Sequence, residues 1–274
     1  MLKFLTRLRI VSVFFFIVCA LQMLLPFAAR AHEFWIEPQK FQAIPGQSFV
    51  ADLRNGQMFK GARLPYFDHR IARFEVSFGK TLTPYSGRMG DLPGFTFAPS
   101  KPGLMVVIHQ TQPDEITYDS WEKFAAFLRE KDLEEPLQDH RKRGLPRTGF
   151  AETYTRYAKL LAAIGPGAGM DRDFGMEIEF TALANPYLAE EASLPVVLRY
   201  QGAPLGLTQV EVFERPPDGE VRRQLLRTDT QGMTQIPLRE GHAYLLNAVI
   251  MRPVTDRGKV VWESLWASLT FARP

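Results

Sequence analysis

The fold class is decided by two short apolar stretches, Leu194-Pro-Val-Val-Leu-Arg-Tyr200 and Ala243-Tyr-Leu-Leu-Asn-Ala-Val-Ile250. Both are rich in β-branched and aromatic side chains and adjoin turn-forming glycines, which is typical of buried β-strands. Further strand candidates of this kind lie at residues 177–180, 208–213, 235–238 and 262–271. Short strands separated by turns predict an antiparallel β-sandwich over residues 171–274.

The first part of the chain shows the same period of two. Residues 49–54 and 72–78 alternate between apolar and polar side chains, and residues 103–108 form a continuous apolar run. Pro-Gly pairs at positions 45, 93 and 102 separate these segments. We therefore expect an N-terminal β-sandwich domain over residues 32–115, which makes the protein mainly β, with two sandwich domains.

A helical period interrupts the β pattern between the two domains. Asp119 and Glu122 have the spacing of a capping box at the start of a helix. One helical face then carries Trp121, Phe124, Ala125 and Leu128. We expect Trp121, Phe124 and Leu128 to be buried against a sheet.

A second helix is expected from residue 151 to 164, followed by Gly165-Pro166 as its end. Its apolar face would carry Tyr154, Tyr157, Ala158 and Leu161. Tyr154, Arg156 and Lys159 are expected to form a polar contact set, in which Arg156 and Lys159 share one side of the helix and need a carboxylate nearby. The alternative is that these are solvated charges on an exposed face. Residues 116–170 are therefore predicted to be a helical connecting segment.

The charge balance argues against a nucleic-acid partner. The chain has 33 basic and 30 acidic residues, but residues 1–31 contain four basic residues and no acid. The remainder has 29 basic and 30 acidic residues. This remainder lacks the basic excess that phosphate binding requires.

Residues 1–31 have the pattern of a cleaved secretory signal peptide. Lys3, Arg7 and Arg9 precede a long apolar run, and Ala29-Arg-Ala31 offers the small residues of a cleavage site. We expect cleavage after Ala31 and a periplasmic location, with membrane contact only through the uncleaved signal segment. The alternative is an uncleaved membrane anchor.

Enzyme motifs are largely absent from the sequence. It contains no G-x-S-x-G elbow and no glycine-rich phosphate loop, and its single cysteine, Cys19, lies inside the signal segment. The mature chain therefore has no thiol nucleophile and no disulfide. We expect that the protein is not an enzyme.

A metal site is suggested by the position of His32. After cleavage this residue would supply both an α-amine and an imidazole, which together suit nickel, cobalt, copper or zinc. His109, at the end of a predicted strand, is the expected second ligand, and His69 is a further candidate. Aromatic residues near strands are expected to form core, while Glu263 and the Arg156/Lys159 pair are left without an assigned role.

The sequence resembles the bacterial family known as domain of unknown function 4198. The similar segments occur in the family's order along nearly the whole mature chain, and they are His32-Glu-Phe-Trp-Ile-Glu-Pro38, Phe124-Ala-Ala-Phe-Leu-Arg-Glu130, Arg147-Thr-Gly149, Glu152-Thr-Tyr-Thr-Arg-Tyr-Ala-Lys159, Asn185-Pro-Tyr187, Tyr200-Gln-Gly-Ala-Pro-Leu-Gly206, Thr228-Asp229 with Gly232, Trp262-Glu-Ser264 and Ser268-Leu-Thr-Phe271.

This resemblance implies a fold and a function. Members are often labelled periplasmic components of cobalt or nickel transport systems, and their second half resembles a transthyretin-like or carboxypeptidase-regulatory sandwich. The resemblance therefore suggests an accessory of transition-metal uptake or handling, with a metal-transport membrane complex as its partner. The alternative is a non-catalytic surface or interaction module built of two β-sandwiches.

Overall fold

The computed structural model describes residues 32–188 and 190–274. The expected signal segment, residues 1–31, lies outside the described residues. The two α-helices of the described part are α1 (Trp121–Glu130) and α2 (Glu134–Lys142), and a 3-10 turn covers Asp68–Arg70. Its strands are β1 (Glu33–Pro38), β2 (Gln42–Ala43), β3 (Phe49–Gln57), β4 (Lys60–Leu64), β5 (Ile71–Phe78), β6 (Thr81–Pro84), β7 (Phe95–Phe97), β8 (Gly103–Thr111), β9 (Asp114–Tyr118), β10 (Phe150–Ile164), β11 (Ile178–Ala182), β12 (Ser193–Tyr200), β13 (Ala203–Pro204), β14 (Gln209–Arg215), β15 (Arg222–Arg227), β16 (Met233–Pro237), β17 (Ala243–Pro253) and β18 (Val260–Ala272).

The strands form one large sheet and two small ones, so the expected mainly β architecture is confirmed. The large sheet has ten strands in the order β15-β14-β17-β18-β10-β8-β5-β6, with β2 and β9 also paired to β10. A front sheet contains β1-β3-β4 with β7 on β3, and a back sheet contains β11-β12-β13 with β16 on β12.

The alternation along β8 shows how the three sheets are layered. Met105 and Val107 pack in the core shared with the front sheet. Leu104, Val106 and Ile108 pack in the core shared with the back sheet. Because successive side chains of a strand point to opposite faces, each small sheet covers one face of the central sheet. The two expected sandwiches therefore share their middle sheet.

The prediction of a helix at residues 151–164 is wrong, because Phe150–Ile164 is the 15-residue strand β10. All residues from 158 to 164 are buried. Strand β10 lies in the middle of the central sheet, so both its faces are covered. A strand buried on both faces loses the polar alternation that identifies strands in a sequence, and its apolar spacing then also fits a helix.

The central sheet is mixed, although antiparallel sheets were expected. Strand β10 runs parallel to β18, from the pairing of Ala151 with Val260 to that of Leu160 with Thr270. Its contacts with β8 and β9 are antiparallel.

Helix α1 confirms the first part of the helical prediction. Trp121, Phe124 and Leu128 are all buried, and Phe124 contacts the Phe150 ring at 5.0 Å. The cap is Ser120 rather than Asp119, since the Ser120 hydroxyl accepts from the Lys123 backbone N–H. Across residues 32–188 and 190–274, neither helix is long and apolar enough to cross a bilayer.

Candidate functional site

A cleft of about 330 Å³ opens at one end of the interface between the front sheet and the central sheet. Its volume lies in the range of small-molecule sites. The lining residues come from both sheets and the loops beside them, and they are Phe34, Leu53, Asn55, Leu64, Pro65, Phe67, His69, Arg70, Ile71, His109, Thr111, Gln112, Pro113, Asp114, Tyr154 and Arg156.

The hydrogen-bonded ladder between β8 and β10 ends before it reaches the cleft. Their ladder covers Leu161 paired with Val106 to Ile164 paired with Gly103 and does not extend to Arg156. Strand β9 takes over as the neighbour of β10 only at Tyr154. Between these two ladders, the Arg156 backbone N–H donates to the Thr111 hydroxyl at 3.0 Å.

Three strands change from apolar to polar side chains at this end of the sandwich. On β3 the core-facing positions Ala51 and Leu53 are followed by Asn55, and on β8 Val107 is followed by His109. On β10 Arg156 precedes the core residues of the same face. Strand alternation therefore directs Asn55, His109 and Arg156 into the layer that is otherwise filled by apolar side chains.

His109 is the most unusual of the three. Its side chain is 2% exposed, and its ring lies 5.0 Å from the Phe34 ring and 4.8 Å from the Phe74 ring. Neither ring nitrogen has a hydrogen-bond partner among the described residues. Burial lowers the pKa of His109 to about 3, so the imidazole is neutral at physiological pH. A neutral imidazole offers one donor and one acceptor.

Arg156 supplies a positive charge to the same space. Its guanidinium lies 4.4 Å from the Tyr154 ring centroid, and Nη2 donates to the His32 carbonyl oxygen at 3.2 Å. The buried Nε–H has no acceptor among the described residues. None of these residues forms an ion pair with Arg156. Burial lowers the pKa of Arg156, while Tyr154 and Asp114 raise it. Arginine nevertheless remains charged in proteins.

Asn55 and the rim complete the polar lining. The Asn55 Oδ1 atom is buried and has no donor among the described residues. His69 and Arg70 are exposed at the rim on the 3-10 turn, and Asp114 is exposed on the other side. Two arginines and one aspartate give the lining a positive excess, which attracts anions.

The expected metal ligands take different places around this cleft. His109 lines it, whereas His32 is exposed and approaches it through its backbone carbonyl. Burial, and then the charge of Arg156, lower the pKa of His32. Residues 32–188 and 190–274 contain no group of three or more His, Cys, Asp or Glu side chains that could hold a metal ion. The metal site at His32 and His109 stays a prediction.

Of the expected polar contact set, the contact between Tyr154 and Arg156 is present. The prediction that Arg156 and Lys159 share one side is wrong. Both lie on β10 three positions apart, and strand alternation places them on opposite faces. Arg156 faces the cleft, whereas Lys159 is fully buried with Asp171 and Glu179 on the other face. The expectation of a nearby carboxylate is confirmed for Lys159. Glu263 pairs with Arg252.

One comparison with known proteins agrees with the family resemblance. The family model described as "Domain of unknown function (DUF4198)" matches residues 29–252. No curated protein matches the chain. Fifteen chains of known structure match. One of them is the "D0-D1 domain of Intimin", which is 13% identical to this chain and has a TM-score of 0.20. The match covers 88% of this chain and 97% of that chain.

Proposed function

The chain belongs to the DUF4198 family. We propose that it is a non-catalytic binding protein that takes a small organic anion into the cleft around Arg156. The family's description states no function. The support therefore comes from the residues of the cleft. The observation that carries the proposal is the presence of three polar side chains with buried, unpaired atoms in one cleft.

The charge of the ligand follows from Arg156. A partly buried guanidinium without a carboxylate partner is costly to the free protein, and a bound anion would remove this cost. The planar guanidinium suits a carboxylate in particular, because two N–H groups can donate to its two oxygens. Arg70 at the rim adds positive charge on the path into the cleft.

The ligand must also donate hydrogen bonds. Asn55 Oδ1 only accepts, and the neutral His109 ring needs one donor and one acceptor. A carboxylate alone would satisfy Arg156 and leave Asn55 unpaired. A hydroxy acid or a sugar acid, which carries hydroxyl groups beside its carboxylate, would satisfy all three residues.

Binding without catalysis fits the chemistry of the lining. Within the described residues, the cleft is lined by no serine, cysteine or lysine. Its one aliphatic hydroxyl, on Thr111, already accepts from the Arg156 backbone. A nucleophile paired with a base, which a hydrolase or transferase needs, is therefore not part of this lining.

A transition metal at His32 and His109 is the second candidate function. The orphaned nitrogens of His109 favour it, since a neutral imidazole is a metal ligand. The positive charge of Arg156 beside His32 opposes it. A periplasmic location and a transport complex as partner remain parts of this candidate, and they rest on the first 31 residues and on the family label.

Calorimetric titration of the purified protein tests the anion proposal. The probes are lactate and galacturonate, each beside its uncharged counterpart, lactamide or galactose. We expect binding of the acids and at least a tenfold weaker affinity for the neutral compounds. Arg156→Gln should remove the preference for the charged probe, and Asn55→Ala should weaken the binding of both members of a pair.

Arg222→Gln is the matched control, because Arg222 is an exposed arginine on β15 that does not line the cleft. It should bind like the parent protein. Equal affinities for charged and neutral probes, or no binding of either acid, would contradict the proposal. Titration of copper, nickel and zinc onto parent and His32→Ala proteins decides the second candidate, which requires binding that is lost in His32→Ala.

A further inference from the structure

Lys159 lies in a closed polar site on the face of β10 opposite the cleft. Its side chain is completely buried, as are those of Asp171 and Glu179. The ammonium nitrogen Nζ lies 3.2 Å from Asp171 Oδ1 and 3.3 Å from Oδ2, and it also contacts Glu179 Oε1. The Phe174 ring centroid is 5.0 Å from Nζ. The site therefore excludes bulk water.

The three groups cannot all be ionised without leaving a net negative charge in the interior. One lysine neutralises one carboxylate, and a second buried carboxylate strongly favours its protonated form. Burial accordingly raises the pKa of both Asp171 and Glu179, although Lys159 lowers each of them. The neutral form of one of the two carboxyl groups is therefore favoured beside the Lys159 ammonium.

We propose that Lys159 and Asp171 form an intramolecular amide bond, with Glu179 as the group that transfers the protons. The assignment of roles follows from the contacts. Nζ lies at nearly equal distances from both oxygens of Asp171, which brings the carboxyl carbon Cγ that joins them close to Nζ. Nζ also donates to the backbone carbonyl oxygens of Arg172 and Phe180. Glu179 meets Nζ through Oε1, which is the end-on contact that proton transfer needs.

The reaction is a condensation and needs no co-reactant. The Lys159 ammonium gives one proton to the Glu179 carboxylate, and the free amine attacks Cγ of the protonated Asp171. The N–C bond forms while the C=O electron pair moves to oxygen. The nitrogen then loses a second proton to the Asp171 hydroxyl through Glu179, and water leaves. The products are one amide, one water molecule and a protonated Glu179, so atoms and charge balance.

Backbone groups are placed to support the developing charge. The Ala182 N–H donates to Asp171 Oδ2 at 2.8 Å, and the Arg172 N–H donates to Oδ1 at 2.8 Å. Such fixed donors stabilise an oxyanion in a dry site more than water does. Holding both reactants in contact also gives an amine and an acid a very high effective concentration.

The bond would join two layers of the protein. Lys159 belongs to the central sheet, and Asp171 lies in the segment that leads from β10 to the back sheet, where Glu179 is on β11. The sequence has one cysteine, Cys19. The amide would provide the covalent link between layers that a disulfide cannot provide here.

Mass spectrometry of the purified, denatured protein tests the proposal. We expect the intact mass to be lower by one water molecule than the mass calculated for its residues. After digestion, tandem spectra should contain a peptide with Lys159 linked to Asp171. An unmodified parent mass, a water loss located at another residue, or a link from Lys159 to Glu179 would each overturn the proposal as stated.

Two variants and a control test the assigned roles. Lys159→Arg removes the nucleophile and Glu179→Gln removes the proton carrier, so both should show the full mass. Glu211→Gln is the control, because Glu211 is also a buried carboxylate paired with a buried lysine, Lys131. It should retain the water loss. Formation of the bond in Glu179→Gln at the parent rate would overturn the role of Glu179.

Discussion

The phenol of Tyr118 donates a 2.7 Å hydrogen bond to Glu152 Oε2 in the interior. The other oxygen of Glu152 accepts from the Ser264 hydroxyl, which in turn accepts from the Trp266 indole at 2.9 Å. The side chain of Glu152 lies on β10, on the same face as Arg156 but four residues away. Despite these donors, burial raises the pKa of Glu152 to about 7.

We expect Glu152 to make the protein less stable as pH rises. Its pKa is raised from an ordinary 4.5 to about 7 in the folded protein. Its contribution to stability is therefore fully present below pH 4.5 and is lost as pH rises through about 7. The full effect is on the order of 3 kcal/mol. Urea unfolding of parent and Glu152→Gln between pH 5 and pH 8.5 measures it, and parallel curves for the two proteins would contradict the prediction.

His109 should give the opposite dependence. Burial lowers its pKa from 6.5 to about 3. The contribution of His109 to the stability of the folded protein is present above pH 6.5 and is lost as pH falls toward 3, because the unfolded chain binds the proton first. His109→Leu should remove this dependence. It should also raise stability at neutral pH by about 1–3 kcal/mol, since two unpaired buried nitrogens are removed.

The same substitution should weaken the binding of hydroxy acids. For stability, His69→Leu is the matched control, because His69 is exposed and its replacement should change stability by less than about 0.5 kcal/mol. Chemical unfolding compares these two variants, and titration with galacturonate compares His109→Leu with Arg222→Gln, which does not line the cleft. A destabilised His109→Leu protein would show that this imidazole has partners in solution.

Lys131, the residue that follows α1, is expected to be sensitive to substitution. Its ammonium contacts Glu33 at 2.9 Å and Glu211 at 2.7 Å, with all three side chains buried. Glu211 is also bound by Arg223 and Asn247. Lys131→Met therefore leaves Glu33 as the unpaired carboxylate and should cost about 3–5 kcal/mol in unfolding free energy.

A second substitution should reverse most of this loss. Adding Glu33→Leu to Lys131→Met removes the unpaired charge, and apolar replacements of buried pairs are often neutral. Lys123→Met is the control, because the Lys123–Asp119 pair is partly exposed and contributes only about 0–1 kcal/mol. Thermal and urea unfolding measure the stability of the single variant, the double variant and the control. Equal losses in the single and double variants would contradict this explanation.

The predicted cleavage after Ala31 can be tested directly at the N-terminus. We expect protein recovered from the periplasmic fraction to begin at His32, because a basic segment, an apolar run and Ala29-Arg-Ala31 occur in the order of a signal peptide. N-terminal sequencing tests this. Recovery of a chain that still contains residues 1–31 would support the membrane-anchor alternative.

Among the strands of seven or more residues, all except β10 could be predicted from sequence, because one of their faces is polar or their ends carry turn residues. The segments at 49–54, 72–78 and 243–250 all lie within observed strands. Strand β10 could not be predicted, because its buried half has no polar face and the spacing of its apolar residues fits a helix equally well. The parallel contact between β10 and β18 is also invisible locally, since it joins distant parts of the chain.

The error at β10 explains why the site was only partly predicted. His109 was singled out as a histidine at a strand end, and it does line the cleft. The helical period groups Arg156 with both Tyr154 and Lys159, whereas in the strand Arg156 shares a face with Tyr154 alone and Lys159 lies on the opposite face. Asn55 was missed, although a signal existed: it continues the apolar positions Phe49, Ala51 and Leu53 with a polar side chain.

The order of strands in the central sheet also means that the sheet cannot form until the C-terminal strand is present. Strand β18 is the last strand of the chain, yet it lies between β17 and β10 and joins the strands of both halves. A chain that has not yet reached residue 260 therefore lacks the middle of its largest sheet. Such distant pairings make folding slow. We expect removal of the last 15 residues to abolish cooperative unfolding of the whole molecule, whereas loss of an edge strand would be tolerated far better.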